Sequence, residues 1–323
     1  MGADVIRALK PRAGLLEFAG LFGLLVLFVV LSLASSAFLS KDNLLNVLQA
    51  NSDIGIAACA GTLVIVAGGI DLSVGAIYAL AGVLSAKLAI STGVGVGILA
   101  GVAAGAALGL LNGLVVTAGR VSPLIATLAG AIVFTGGAEV LADQELLTPE
   151  AAGFVELGRD SLLGVKYSVW LLVVAAIAFG FLLSRARFGR EVRVVGSNQE
   201  AARLSGVNVG RVRCLTYVLS GLAAAVAGVV AVSQAGQAQS NIGGIPYVLA
   251  VIAAIAVGGT SLRGGEGAVW RTIIGVLFLG LVNNGLGLLN VDPLYNQFFT
   301  GLLILIAVSG EIYVRRGSGR IAT

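Results

Sequence analysis

The sequence predicts an all-α polytopic membrane protein of about ten transmembrane helices with both termini cytoplasmic. Three observations predict it. Of 323 residues, 58% are hydrophobic and 11% are charged, whereas a soluble domain carries about 25% charge; mean hydropathy is +1.01. About ten stretches are apolar over the ~20 residues that a helix needs to cross a bilayer. The basic residues between those stretches fall on alternate sides.

In chain order the stretches are 15–35, 44–68, 72–91, 94–118, 122–141, 164–183, 212–234, 247–262, 271–289 and 294–314. The first is too long for the core of a cleaved signal, and Ala34-Ser35-Ser36-Ala37 is a poor cleavage site, so it is expected to stay as a span. The second carries the polar run Gln49-Ala50-Asn51-Ser52-Asp53 and stops at Gly68-Gly69. Asp71 precedes the third, where its carboxylate would accept backbone N–H bonds as an N-cap. The fourth has Gly93, Gly97, Gly101, Gly105, Gly109 and Gly113, one every four residues. Such a stripe lets two helix backbones approach closely in lipid. Gly258-Gly259 ends the eighth. Spans of this number and length leave only short loops, so residues 1–323 read as a single transmembrane domain.

Placing the N-terminus inside puts sixteen of the twenty Lys and Arg residues on the cytoplasmic side, seven of them in the loop 184–213. Cytoplasmic loops collect Lys and Arg, and an even number of spans returns the basic C-terminus to the same side. The outer loop 142–163 is acidic, with Asp143, Glu145, Glu150, Glu156 and Asp160 against Arg159. Long loops in a compact chain are often functional.

The same counts exclude chemistry. Histidine is absent, which removes Ser-His-Asp triads, His metal sites and His proton relays. Cys59 and Cys214 are 155 positions apart, so no CxxC or zinc-finger spacing exists, and both read as small core residues. None of Lys10, Lys41, Lys87 and Lys166 follows a Gly-rich phosphate loop, so no cofactor is expected on this chain. A net charge of +4 is too slight to point to nucleic acid.

Ionisable groups within apolar stretches are functional candidates. Glu17 and Glu139 lie near span ends, and Lys87 can snorkel. Asp53, deeper and beside Asn51, reads either as lining a cavity or as a structural partner. The pattern Gly-x-x-Asn-(x)-Gly-Leu occurs at Gly109–Leu114, around Asn112, and at Gly280–Leu286, around Asn283 and Asn284. An Asn in hydrocarbon needs a partner, which is either another helix or a substrate hydroxyl, and the recurrence suggests an internal repeat. In the basic loop Asn198 can cap a short helix that Gly206 stops. Ala201, Ala202 and Leu204 would form its small apolar face, flanked by Glu200 and Arg203. Such a helix either lies at the lipid interface or docks to another protein.

Four segments together resemble the permease family of bacterial sugar ABC importers, the branch that includes ribose, xylose and arabinose permeases. They are Gly68-Gly69-Ile70-Asp71-Leu72-Ser73-Val74-Gly75; Gly109 to Leu114 followed by Gly119 to Leu128, which includes Thr127; Phe188-Gly189-Arg190 with Gly196 to Gly206; and Gly258 to Gly267 continuing to Asn283-Asn284-Gly285-Leu286. The likeness covers about 44–308. It implies a bacterial inner-membrane permease subunit that dimerises, as a homodimer or with a related permease. It further implies two cytoplasmic ATP-binding subunits, which hold ATP and Mg, and a periplasmic or lipid-anchored sugar-binding protein. By this resemblance residues 198–206 are the helix that enters an ATPase cleft, with Gly196, Asn198, Glu200, Ala201, Ala202, Arg203 and Gly206 as coupling residues. Asn51, Asp53, Asp71, Ser73, Asn112, Thr127, Asn283 and Asn284 are the candidates for path or gate.

The chain departs from the family twice. An acidic Tyr-Glu-Leu-Asp run is replaced by Tyr247-Val248-Leu249-Ala250, and a Gly-Thr pair by Arg271-Thr272. A cavity of Asn, Ser, Thr and Gln suits an uncharged substrate that must be released on the far side. The expected function is therefore ATP-driven import of a pentose or hexose. The nearest rival is a nucleoside importer permease. An ion-coupled carrier would need intramembrane carboxylates, for which Asp53 is the one good candidate. A membrane enzyme lacks a nucleophile–base pair.

Overall fold

The computed structural model describes residues 19–143, 145–149, 152–292, 295, 298, 299, 301, 302 and 305. Among them are thirteen helices: α1 (Ala19–Ala34), α2 (Lys41–Ala50), α3 (Ser52–Val66), α4 (Val74–Ser91), α5 (Val94–Thr117), α6 (Pro123–Ala142), α7 (Ala152–Arg159), α8 (Tyr167–Ser184), α9 (Arg187–Ser197), α10 (Gln199–Leu204), α11 (Val209–Ala235), α12 (Ile245–Val257) and α13 (Val269–Leu288). A two-stranded antiparallel hairpin, β1 (Ser161–Leu162) and β2 (Val165–Lys166), turns through Leu163 and Gly164, both at positive φ.

Six helices, α4, α5, α6, α8, α11 and α13, are long and apolar enough to cross a membrane alone; counting the bent pair α2–α3 as one span makes seven. Helices α1 and α12 are apolar but shorter. Nine of the ten expected stretches thus coincide with helices. The tenth, 294–314, lies mostly outside the described residues, and the start of the first lies outside them.

Two stretches differ from expectation. The second is not continuous, because α2 and α3 meet at 47°. Polar side chains at the joint occupy carbonyls of the last turn of α2: Asn51 donates to Val47 O (2.8 Å) and Ser52 to Gln49 O (2.7 Å). Asn51 itself is non-helical, with ψ near 9°. The eighth ends at Val257, because Gly259 turns left-handed (φ 82°) and the chain stays irregular until Ala268. The acidic loop 142–163 contains α7, which docks on the end of α11. The Arg159 guanidinium donates to Gln234 O (3.1 Å) and Ala235 O (2.9 Å), covering the free carbonyls of that terminus.

The centre is built from α3, α4, α11 and α12. Thirteen residues of α3 are buried, so it is apolar all round, as an inner helix must be. α11 packs on α3, α4, α5 and α7. α5 has one buried face made of Gly97, Gly101, Gly105, Gly109, Asn112, Gly113 and Val116. Its opposite face exposes Val96, Leu99, Leu110, Leu111 and Leu114. The glycine stripe therefore packs inward, Gly97 and Gly101 on α4 and Gly105, Gly109 and Gly113 on α11. The leucine face would be unstable in water and belongs in lipid.

The repeated Asn pattern is also placed. As many residues separate Gly109 on α5 from Gly280 on α13 as separate the first residue of α4, Val74, from that of α12, Ile245. The N-terminal ends of α4 and α12 meet at the centre. A Cβ on Gly75 would lie 1.9 Å from Gly243 O, and one on Gly243 would lie 1.8 Å from Gly75 O. Only glycine on both sides permits that approach.

Candidate functional site: a braced central segment and an exposed loop helix

The segment from Gly68 to Ser73 joins α3 to α4. α3 closes with Gly68 left-handed (φ 75°), its N–H on Ile65 O and that of Gly69 on Val64 O (both 2.9 Å). The chain then runs non-helically to Val74, so its backbone groups need partners from outside. Asp71 accepts from the Ser73 backbone N–H (2.9 Å), the Ser73 hydroxyl (2.6 Å) and the Ser220 hydroxyl (2.8 Å). Asn112 on α5 donates to the Ser73 hydroxyl (2.7 Å). Thr127 on α6 accepts from Leu72 N–H (3.1 Å) and donates to Pro123 O (2.8 Å). Tyr217 on α11 donates to Ile70 O (3.3 Å).

The structure thus brings together Asp71, Ser73, Asn112 and Thr127, all buried. It adds Ser220 and Tyr217, which the sequence reading missed; they stand three apart on α11 and so share one helix face. Asp71 is not the N-cap of α4. That position is Ser73, whose side chain makes no cap bond; the carboxylate instead ties the turn before the helix to α11.

A second cluster surrounds the joint between α2 and α3. The Asp53 carboxylate accepts from the Tyr78 hydroxyl (2.9 Å), and Asp53 O accepts from the Tyr247 hydroxyl (3.3 Å). The two rings lie 4.1 Å apart. Gln234 donates to the Ser52 hydroxyl (3.2 Å). Asp53, Gln234 and Tyr247 are half-buried, so this cluster reaches the surface where the first does not. Asn51 packs against Gly280, where a Cβ would meet its amide at 2.5 Å. Tyr78 was also missed, and Tyr247 was noted only as the first residue of the altered family run; an aromatic residue in an apolar run carries no signal of its own.

Asn284 makes a reciprocal amide pair with Asn43 on α2, at 3.1 and 2.7 Å. Asn283 is exposed on α13. At the family's two departures, Val248 is buried and packs toward Gly75. The Thr272 hydroxyl bonds that of Thr62 (2.7 Å), tying α13 to α3.

The loop 184–213 is more structured than expected. Residues 187–197 form α9, whose Gly189, Val192 and Val195 are buried. Asn198 then caps α10, its carbonyl oxygen accepting from Ala201 N–H (3.0 Å), and Gly206 turns left-handed (φ 81°) just past its end. Ala202 is buried, not exposed, because it packs on the core and anchors α10. The outward face is Ala201, Leu204 and the exposed ion pair Glu200–Arg203 (2.9 Å). Gly196 also faces inward. A Cβ there would lie 1.8 Å from Val66 O and 2.6 Å from Gly265 N, while Gly265 N–H bonds Val66 O (2.8 Å). Gly264, left-handed at φ 88°, abuts Gly68. The ends of α3 and α9 and the loop after α12 therefore touch backbone to backbone, one residue from Gly69 and three from Asp71. Among the described residues no group of His, Cys, Asp and Glu could hold a metal ion.

One bent helix pair, a buried polar segment, apolar outer surfaces and a basic loop with an anchored exposed helix define a polytopic membrane protein. Residues 43–308 match the family model described as the permease component of the branched-chain amino acid transport system. The chain is 42% identical over 299 residues to the ribose import permease protein RbsC of Bacillus subtilis, covering 91% of this chain and 92% of that one. It is 39% identical over 305 residues to RbsC of Escherichia coli K12 (92% and 94%), and 37% over 302 residues to the L-arabinose transport system permease protein AraH of the same organism (91% and 91%). No solved structure matches. The chain belongs to this family of ABC importer permeases, as a relative of its sugar-transport members, and is a multi-pass protein of the inner membrane with a transport rather than a catalytic role.

Proposed function

We propose that this chain is the membrane-spanning subunit of an ATP-driven importer that moves a pentose or hexose into the bacterial cytoplasm. Residues 1–323 would form one permease domain of ten spans with both termini inside. It works as a dimer with cytoplasmic ATP-binding subunits, which carry ATP and Mg, and with a periplasmic or lipid-anchored sugar-binding protein. The sugar class rests on relatives named for ribose and arabinose.

The observation that carries the ATP-driven reading is the placement of α10. It is capped at both ends, shows Glu200, Ala201, Arg203 and Leu204 outward, and is anchored inward by Ala202. Through α9 and Gly196 it abuts the end of α3, beside the segment that Asp71 braces. A push on α10 has a short rigid route to that segment. Asp71, Ser73, Asn112 and Thr127 hold the segment, and the half-buried Asp53 and Tyr247, backed by the buried Asn51 and Tyr78, face the path. Asn283 and Asn284 flank it on α13.

The test is uptake of radiolabelled ribose in cells that supply the partner subunits. Glu200→Lys and Ala201→Trp are expected to abolish uptake while insertion and thermal stability stay normal, since both side chains are exposed. Wild-type uptake in both variants overturns the coupling role. Accumulation by this chain alone, driven by an ion gradient, overturns the importer assignment. Uptake blocked by nucleosides and untouched by sugars replaces the substrate class.

A further inference from the structure

A groove of about 340 Å³ opens between the second half of α8 and the start of α13, where α9 crosses. Ile177 and Leu183 form one wall, Val269 and Ile273 the other. At the end nearest α9, Arg193 lines the groove. Arg193 is half-buried, and it forms no ion pair with a described residue. Trp270, half exposed, sits at the same level. The chain has two tryptophans. The other, Trp170, is at the opposite end of α8, its indole N–H on Leu162 O (3.2 Å). Tryptophans collect at both membrane–water boundaries, so this pair marks the two faces and puts Arg193 at the boundary on the basic side.

An apolar cleft that ends in a cation at the headgroup level has two requirements: hydrocarbon along its walls and an anion at its mouth. The N-terminus of α13 adds partial positive charge at that mouth. Leaving the arginine beside bare hydrocarbon would be costly. We propose that this groove binds an anionic phospholipid of the inner leaflet, its phosphate on Arg193 and an acyl chain between α8 and α13. A zwitterionic lipid offers the same chains but no net charge, so the preference comes from Arg193. The leaflet rests on the proposed orientation; the lipid class does not.

The test uses the full chain with Trp170→Phe, which leaves Trp270 as the sole tryptophan, excited selectively in phosphatidylcholine vesicles with brominated lipids and no partner or sugar. Failure of the importer reading therefore leaves this result unmoved. Brominated phosphatidylglycerol is expected to quench Trp270 with about five-fold higher apparent affinity than brominated phosphatidylcholine, the effect of roughly one surface cation. Arg193→Gln should remove that preference, and Gly180→Leu, which fills the groove from α8, should weaken quenching by both lipids. In the unsubstituted groove, unbrominated phosphatidylglycerol should relieve the quenching and millimolar inorganic phosphate should not. Equal quenching by both lipids, or a preference that survives Arg193→Gln, overturns the proposal. Relief by inorganic phosphate would mean a free-anion site and overturns it as well.

Discussion

Gly105→Ala tests whether the glycine stripe of α5 sets the distance between the two most closely packed helices. A Cβ at Gly105 would lie 2.3 Å from the Cβ of Ala225 and 2.5 Å from Gly221 O, both on α11. Carbon atoms in contact sit ~3.5–4.0 Å apart, so the helices must separate by roughly 1 Å. A gap of that size forfeits a quarter to a half of each contact well, and it spreads along the stripe, because Gly109 and Gly113 also rest on α11. Overpacking of this kind costs ~1–3 kcal/mol. Alanine returns ~0.5–1 kcal/mol through its better helix propensity, which leaves a net loss of roughly 1–2 kcal/mol. At about 2–4 °C per kcal/mol, the midpoint should fall by roughly 2–8 °C. Gly136→Ala on α6 is the control. Nothing lies within 4 Å of a Cβ there, so only the propensity gain remains and the midpoint should rise slightly. The protein carries its own reporter, since Cys59 is fully buried in α3 and free. A thiol-reactive fluorophore in detergent reads its exposure on heating, with the part-exposed Cys214 as baseline. Equal midpoints for Gly105→Ala and the unsubstituted protein would refute the close-packing argument.

In the same assay Ser220→Ala removes a donor from the buried Asp71 carboxylate and should cost ~1.5–3 kcal/mol, the range for a hydrogen bond to a charged group; an unchanged midpoint would mean that Asp71 does not depend on α11. A double-mutant cycle on Asn43→Ala and Asn284→Ala should give a coupling of ~0.6 kcal/mol and not above ~1.7. A coupling of zero would remove the amide pair as the tie between α2 and α13.

The sequence revealed what rests on composition and period. Hydropathy located nine apolar stretches that prove helical, and the spacing of glycines on α5 announced a buried stripe. Asn198 and Gly206 marked the limits of α10, because capping is a local hydrogen-bond requirement written within a few residues. Asn112 was legible as a polar residue in hydrocarbon that must find a partner, Asp71 as a carboxylate beside a helix start, and Ser73 and Thr127 only through the family resemblance. Their mutual contact was not, because it depends on how four separate helices pack. The same holds for Ser220 and Tyr217, which are ordinary residues until α11 is placed beside the segment they hold. The break at Asn51 was hidden because hydropathy averages over a window. Two side chains that take backbone carbonyls barely change that average, yet they end a helix.

Ala202 shows where one-dimensional reading turns a residue the wrong way, and Gly196 shows a contact that such reading does not reach. Small residues in a charged loop suggest an outward docking face, but Ala202 packs on the core, and at Gly196 backbone lies against the Cα. A Cβ at Gly196 would fall 1.8 Å from Val66 O. The contact is therefore a fixed spacing rather than a yielding one, since a carbonyl cannot rotate away as a long side chain could. Displacement of α9 must be passed to the end of α3 and to Gly265, whose N–H is bonded to that same carbonyl. On the far side the segment is held by Ser220, Asn112, Thr127 and Tyr217, from three helices. A segment braced by several moderate hydrogen bonds at one end and by hard backbone contact at the other is suited to two discrete positions rather than a continuum, because packed interiors deform little and switch between arrangements.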